Sequence, residues 1–178
     1  MNKNKLRKQF LSKRKNFSLD SLQEKSQAIS QQFFNRFDLG KINKLHLFLP
    51  ILRQNEINTW LIIEKMRQNH PHITPIISKS NFQTCSMESY VLDTDTKIVE
   101  NKWAIPEPTN AIKCSDDTID MILIPLLCFD ERGFRVGYGK GIYDRFLLKC
   151  RKDIIKIGSS CSESFRTRLR MFCASASV

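Results

Sequence analysis

The chain has 178 residues, of which 41% are hydrophobic and 26% charged. That suits one domain with a closed core, and its longest apolar run, residues 121–129 with Pro125 inside it, falls short of the roughly 18–20 residues a membrane-spanning helix needs. The net charge of +11 lies entirely in the two ends: residues 1–15 carry seven Lys/Arg and no acid, residues 151–178 six against two acids, and the stretch between is balanced at 16 of each. A balanced body does not offer the broad basic face that duplex DNA requires, so neither nucleic acid nor membrane is expected as a partner.

Six cysteines stand at positions 85, 114, 128, 150, 161 and 173 without a C-x-x-C pair. In a chain of this length they read as free thiols of a reducing, cytoplasmic compartment. His46, His70 and His72 form no zinc-type cluster with them.

In chain order, residues 1–17 set Leu6, Phe10, Leu11 and Phe17 on one helical face and Lys3, Arg7 and Arg14 on another stripe. No apolar stretch follows, which excludes a secretory signal; an Arg-containing transit peptide is the alternative reading. A second helix is predicted to about Phe37, capped by Ser18 or Asp20, with Leu22, Ile29, Phe33 and Phe37 inward and Gly40 as its stop. Residues 44–49 read as a buried strand ending at Pro50, and residues 56–68 as a helix with Asn55 as its cap.

Residues 72–77 read as a strand and residues 82–92 as a hairpin partner. Residues 101–109, with Pro106 and Pro108, read as an extended loop. The apolar run 119–125 suits a central strand covered on both faces. A turn at residues 130–133, a glycine-rich loop at 134–141 and a helix over 142–150 complete the pattern. Strands alternating with helices predict an α/β fold, a three-layer αβα sandwich around a mostly parallel, mixed sheet.

Four of the six glycines, Gly133, Gly137, Gly139 and Gly141, fall within nine residues. That density suits a backbone presenting several N–H groups to phosphate oxygens, although the spacing matches neither a Walker loop nor a Rossmann turn; the alternative is a plain glycine-rich turn. Lys140 inside the loop is a point charge for phosphate, and Asp144 just after it suits a Mg2+ that also bridges phosphates. The alternative for Asp144 is a helix cap or a pairing with Arg145 or Lys140.

Residues 124–147, IPLLCFDERGFRVGYGKGIYDRFL, closely resemble the signature of the 5-formyltetrahydrofolate cyclo-ligases, also called 5,10-methenyltetrahydrofolate synthetases. That signature reads Pro, apolar residues, Phe-Asp, a turn with Gly, then Arg, an apolar residue and Gly-x-Gly-x-Gly-Tyr-Tyr-Asp. Lys3-x-x-x-Arg7, Asn55-Glu-Ile-Asn-Thr59 and Trp103-Ala-Ile-Pro-Glu-Pro108 agree in order and approximate spacing, so the resemblance covers about residues 1–158.

The resemblance implies ATP- and Mg2+-dependent cyclisation of 5-formyltetrahydrofolate to 5,10-methenyltetrahydrofolate, with release of ADP and phosphate, by a monomer. It implies that Lys3, Arg7, Arg135, Gly137, Tyr138, Gly139, Lys140, Gly141 and Tyr143 bind ATP, with Lys140 and Arg7 serving the phosphoryl transfer and Asp144 the metal. Glu56, Tyr138, Lys140, Ile142 and Trp103 would border the folate, whose guanidine-like pterin edge presents adjacent donors to a carboxylate. From the residues alone, Glu56 is equally a first-turn helix acid, Lys3 and Arg7 a solvated helix face, and Trp103 a buried aromatic.

Two departures stand out. Ile142 replaces the first Tyr of Tyr-Tyr-Asp, and after Gly158 the chain holds no Asp and one acid, Glu163. The tail is therefore read as altered or truncated relative to the family, lacking a second metal ligand. A non-catalytic folate- or nucleotide-binding relative is the alternative, and a small basic RNA-binding protein a third reading that lacks RNP or KH motifs.

Overall fold

The computed structural model describes residues 2–129, 134–160 and 172–173. The turn expected at 130–133 and the tail from 161, apart from the backbone of 172–173, lie outside the described residues.

A mixed sheet forms the centre, in the order β11-β10-β7-β1-β2-β3-β6. Its strands are β1 (Lys44–His46), β2 (Thr74–Asn81), β3 (Ser86–Val91), β6 (Lys113–Cys114), β7 (Met121–Pro125), β10 (Ile155–Ser159) and β11 (Phe172–Cys173). The four inner strands β10, β7, β1 and β2 run parallel, while β3, β6 and β11 pair antiparallel with their neighbours β2, β3 and β10. Two small ribbons stand apart: β4 (Ile98–Glu100) with β5 (Pro106–Pro108), and β8 (Cys128–Phe129) with β9 (Arg135–Val136).

The period-2 alternation of strand side chains divides the core into two layers. Leu45, Leu47, Ile77, Met121, Leu123 and Ile157 point to α2 (Leu19–Arg36) and α3 (Trp60–Asn69), meeting Ile29, Phe33, Ile62, Ile63 and Met66. Ile76, Ile122 and Ile124 point the other way, to Phe146 of α4 (Ile142–Leu147). The expected αβα sandwich is present, and the apolar run at 119–125 is its central strand.

The remaining helix, α1 (Lys3–Lys15), lies outside these layers. Its Phe10, flanked by Leu6 and Leu11, is buried against Leu127, Cys128 and Val136 of the β8–β9 ribbon. Phe17, past the end of the helix, joins the main core instead.

Ser18 is the cap of α2, its hydroxyl accepting from the Ser21 N–H at 3.2 Å, and the helix ends at Arg36, before Gly40. The helix predicted from 56 begins only at Trp60, and Asn55 does not cap it. Asn55 sits in the left-handed region (φ 49°) at the end of a 3-10 turn, Leu52–Gln54. Its side-chain amide donates to the carbonyls of Arg14, Lys15 and Phe17 at 3.2–3.4 Å. The amide is thus spent on the open C-terminus of α1, whose last carbonyls have no helical partner. The helix predicted over 142–150 is also shorter than expected, and the 101–109 segment pairs through β5 rather than remaining a loop. Cys85, Cys114, Cys128 and Cys150 are free thiols.

His46 occupies an apolar position of β1 facing α4, fully buried, with its ring 5.3 Å from Phe146 and 6.2 Å from Tyr143. Burial pushes its imidazole down from 6.5 to about 3, so it is neutral in the fold. Between those values the unfolded chain binds a proton that the folded chain refuses, so stability is full above pH 6.5 and is lost as pH falls. Denaturant unfolding should therefore show His46 costing about 2 kcal/mol at pH 5 relative to pH 7. His46→Leu should lose that share of the pH dependence; an unchanged pH profile in the variant would contradict a buried neutral histidine. The opposite slope contributed by Glu56, described below, is common to both proteins and cancels in the difference.

Candidate functional site

The carboxyl ends of β1, β7 and β10 open on one side, where ligands collect in open α/β sheets. A pocket there is lined by Arg14, Phe48, Glu56, Ile57, Pro125, Leu126, Ser159 and Ser160. α1 reaches this edge because Asn55 ties its C-terminus to the segment following β1. That tie places Arg14, from the last turn of α1, beside Glu56.

Glu56 is 5% exposed and lies four residues ahead of α3, which excludes its reading as a first-turn helix acid. Its Oε2 accepts from the Ile51 N–H at 2.8 Å, and its Oε1 accepts from the Tyr138 hydroxyl. Arg14, also buried, donates through Nη2 to the Tyr138 hydroxyl at 2.6 Å and to Gln54 Oε1 at 3.2 Å, with Nη1 3.7 Å from Glu56 Oε1. Burial raises the Glu56 carboxyl above its ordinary range, and the Tyr138 hydroxyl, the Ile51 N–H and the Arg14 charge pull it back. Burial and the Glu56 charge push the Tyr138 phenol well up, so it stays protonated as the donor. Tyr138 as a whole is 37% exposed and the Arg14 guanidinium lies over its ring at 5.4 Å from the centroid, so its hydroxyl is anchored at the pocket while part of the side chain reaches solvent.

Tyr138 belongs to the glycine loop, whose geometry requires glycine at two positions. Gly139 has φ +96°, and a Cβ there would lie 3.0 Å from Arg7 Cζ and Nε; Gly141, at φ +66°, opens α4. Both conformations disfavour any residue with a side chain. Arg7 crosses the loop, donating through Nε to the Gly137 carbonyl at 3.0 Å and through Nη1 to Asn4 Oδ1 at 2.6 Å. Arg145 fixes the far side, donating to the Lys140 carbonyl at 2.5 Å and to the Cys85 carbonyl at 3.0 Å.

The structure brings together Arg7, Gly137, Tyr138, Gly139 and Glu56, and pairs Arg135 with Asp144 at 2.5 Å. Asp144 is therefore the partner of neither Arg145 nor Lys140, and its carboxylate is 72% exposed. Lys140 is exposed at the loop tip, and Lys3 is exposed one turn ahead of Arg7. Ile142 and Tyr143 are half-buried against the α4 side of the core, with Tyr143 edge-on to His46. Trp103 is not a buried aromatic: it is 49% exposed, packs on Phe82 at 4.8 Å and lies under the Lys102 ammonium. Among the described residues no group of three or more His, Cys, Asp or Glu forms a metal cage, and no helix is long and apolar enough to cross a membrane.

Of the residues lining the pocket only Glu56 is among those expected from the sequence; Arg14 and Ser159, which carry its unpaired polar atoms, are not. Arg14 was visible as a member of the Lys3/Arg7 stripe, but its tie to Glu56 depends on the Asn55 bridge, about 40 residues away. Ser159 follows the last residue of the motif resemblance and carries no local signal at all.

The family model for the 5-formyltetrahydrofolate cyclo-ligase family matches residues 1–160. The chain belongs to that family. It is 31% identical over 170 residues to the 5-formyltetrahydrofolate cyclo-ligase of Mycoplasma pneumoniae, covering 91% of this chain and 87% of that protein. With the enzyme of the same name from Mycoplasma genitalium it shares 30% over 141 residues, 76% of this chain and 83% of that one. Among solved structures, the 5,10-methenyltetrahydrofolate synthetase of Mycoplasma pneumoniae superposes with a TM-score of 0.70 at 27% identity, over 90% of this chain and 85% of that one. The Aquifex aeolicus 5,10-methenyltetrahydrofolate synthetase, at 24% identity and a TM-score of 0.76 over 98% and 86%, shares the fold. The cyclo-ligases are ligase-type enzymes, and this chain spans nearly the whole length of these relatives.

Proposed function

We propose that the protein catalyses ATP-dependent cyclisation of 5-formyltetrahydrofolate to 5,10-methenyltetrahydrofolate. The observation that carries this reading is Tyr138, which joins a phosphate-type glycine loop to a buried carboxylate at Glu56. Two binding chemistries meet at one residue, as a reaction between a nucleotide and a folate requires.

The loop side suits a triphosphate. Arg7 lies across Gly137 and Gly139, and Lys3, Arg135, Lys140 and the loop N–H groups add donors around it. Tyr143 and Ile142, packed against the core, form the floor that holds the loop. The other side suits a pterin: Glu56 accepts from its amino edge, the solvent-reaching part of Tyr138 covers it, and the exposed Trp103 borders the remainder of the folate.

The formyl oxygen on N5 is a poor leaving group. Transfer of the γ-phosphoryl group of ATP to that oxygen releases ADP. The N10 lone pair then attacks the formyl carbon, the carbon–oxygen bond breaks with departure of inorganic phosphate, and N10 gives up its proton. Phosphoryl transfer asks for positioning and charge neutralisation, which Lys140 and Arg7 supply, and no side-chain nucleophile is needed. In this reading one ADP appears for each methenyl product; ADP release without product would contradict it.

The donor set also fits Mg2+. Asp144 offers one exposed carboxylate at the loop's base, and Mg2+ keeps most of its water shell and is commonly held by one or two carboxylates plus phosphates. When bound, Mg2+ would neutralise phosphate charge; Asp144 would hold it and Arg135 would orient Asp144. Asp144→Asn should raise the Mg2+ concentration for half-maximal rate by about tenfold, as expected for one carboxylate ligand. A superimposable Mg2+ titration would leave Asp144 as the ion-pair partner of Arg135 alone.

A further inference from the structure

Two polar atoms in the Glu56 pocket are buried without a hydrogen-bond partner: the hydroxyl oxygen of Ser159 and Nε of Arg14. Both residues are at least nine-tenths buried, at 2% and 5% exposure. Native structures pair nearly all such groups with protein or ordered water. Gln32, His46 and Ser89 carry orphaned atoms elsewhere among the described residues, but only here do two lie in one pocket beside a buried carboxylate, where a bound group can complete both.

The chemistry of the set defines that ligand. Arg14 Nε–H is a donor and nothing else, the Ser159 hydroxyl donates or accepts, and Glu56 accepts. Each Glu56 oxygen uses one strong partner, the Tyr138 hydroxyl on Oε1 and the Ile51 N–H on Oε2, and keeps a lone pair for another. The pocket therefore offers acceptors on one side and spare donors on the other. A 2-amino-4-oxo pyrimidine edge is its complement, with amino and ring N–H donors next to a carbonyl acceptor that has two lone pairs.

Strand geometry holds the donor in place. Ser159 ends β10 in register with Pro125 of β7, and its carbonyl accepts from the Leu126 N–H at 3.2 Å. Its neighbour Ser160 donates to the Leu127 carbonyl at 2.9 Å, so of the two serines lining the pocket it is Ser159 whose hydroxyl has no partner.

We propose that Ser159 is a specificity-determining contact of this enzyme: its hydroxyl and the Arg14 Nε–H together receive the 4-oxo oxygen of the pterin ring while Glu56 takes the amino side. This rests on the folate reading given above. The contact lies away from the reacting N5 and N10 atoms, so it acts on ground state and transition state alike, raising affinity without changing the chemical step.

The test is calorimetric titration of the full chain with 5-formyltetrahydrofolate, and separately with ATP and Mg2+, alongside steady-state kinetics. Ser159→Ala should bind 5-formyltetrahydrofolate about tenfold more weakly, the equivalent of one hydrogen bond to a buried acceptor, with KM raised similarly, kcat within twofold and ATP affinity unchanged. Ser159→Cys keeps the shape, loses the strong donor and should show the same selective loss. A folate affinity within twofold of wild type in both variants overturns the proposal, as does an equal loss for folate and ATP, which is the mark of a structural role. Wild-type protein that binds ATP but not 5-formyltetrahydrofolate overturns the folate reading, and this proposal with it.

Discussion

Glu56→Ala is expected to lose about 3 kcal/mol of stability and most of its affinity for folate. Removing the carboxylate leaves the Arg14 guanidinium buried with neutral partners only, Gln54 and the Tyr138 hydroxyl, and breaking a buried ion pair from one side typically costs ~3–5 kcal/mol. In a chain of this size that corresponds to a fall in Tm of roughly 6–12 °C. In the proposed function the same change removes the acceptor for the pterin edge, so kcat/KM for 5-formyltetrahydrofolate should drop about 100- to 1000-fold, as when charged hydrogen bonds are lost in a desolvated site. Glu56→Gln keeps the volume and should recover much of the stability. It should recover little of the affinity, because its amide donor faces ligand donors. Thermal unfolding with steady-state kinetics on both variants checks the pair; a Glu56→Ala protein with wild-type Tm and KM would contradict the assigned role.

Lys140→Ala should behave in the opposite way, with a large loss of rate and none of stability. The Lys140 side chain is exposed, and the fold uses only its backbone carbonyl, as the acceptor for Arg145. Among the described residues no contact depends on the ammonium. If that ammonium neutralises charge on the transferring phosphoryl group, its removal should cost ~2–4 kcal/mol in the transition state, the range for one preorganised charge-stabilising donor. The expected result is a fall in kcat of roughly 30- to 1000-fold, an unchanged Tm and a folate KM within a few fold. A kcat within twofold of wild type would remove Lys140 from the mechanism. The two variants together separate the halves of the site, one acting through a buried carboxylate and the other through an exposed charge.

What was legible in the sequence followed from local constraints. Gly139 and Gly141 are visible because positive φ at both, and the close approach of Arg7 at Gly139, admit little else, whereas a side chain at Gly137 would meet nothing within 4 Å. The central strand is visible because a strand covered on both faces needs an unbroken apolar run, and α2 because Ser18 and the inward phenylalanines sit at the right offsets.

The misreadings lie where a distant partner overrides a local preference. Asn55 followed by Glu56 looks like a helix cap with a first-turn acid. In the fold the Asn55 amide serves α1 and Glu56 faces Arg14, while the Thr59 hydroxyl at the true start of α3 donates to the Phe48 carbonyl at 2.6 Å. Arg14 could not be distinguished from its solvated neighbours Lys13 and Lys15, because its burial is created by the loop after β1 rather than by its own helix. Ser159 is small and polar, and its interior position depends on the register of β10 against β7. For Trp103 it is the buried-aromatic alternative that fails, since a large aromatic is usually interior, whereas here it pairs with Phe82 on an exposed surface.

In the proposed function one chain joins ATP to folate chemistry through Tyr138. Its most direct test is the absorbance change for 5-formyltetrahydrofolate going to the methenyl product, followed with purified full-length chain, with and without ATP, and with Mg2+ or a chelator. Product is expected only when ATP and Mg2+ are both present. Folded protein that binds MgATP and 5-formyltetrahydrofolate yet forms no product would contradict it and favour a non-catalytic binding protein.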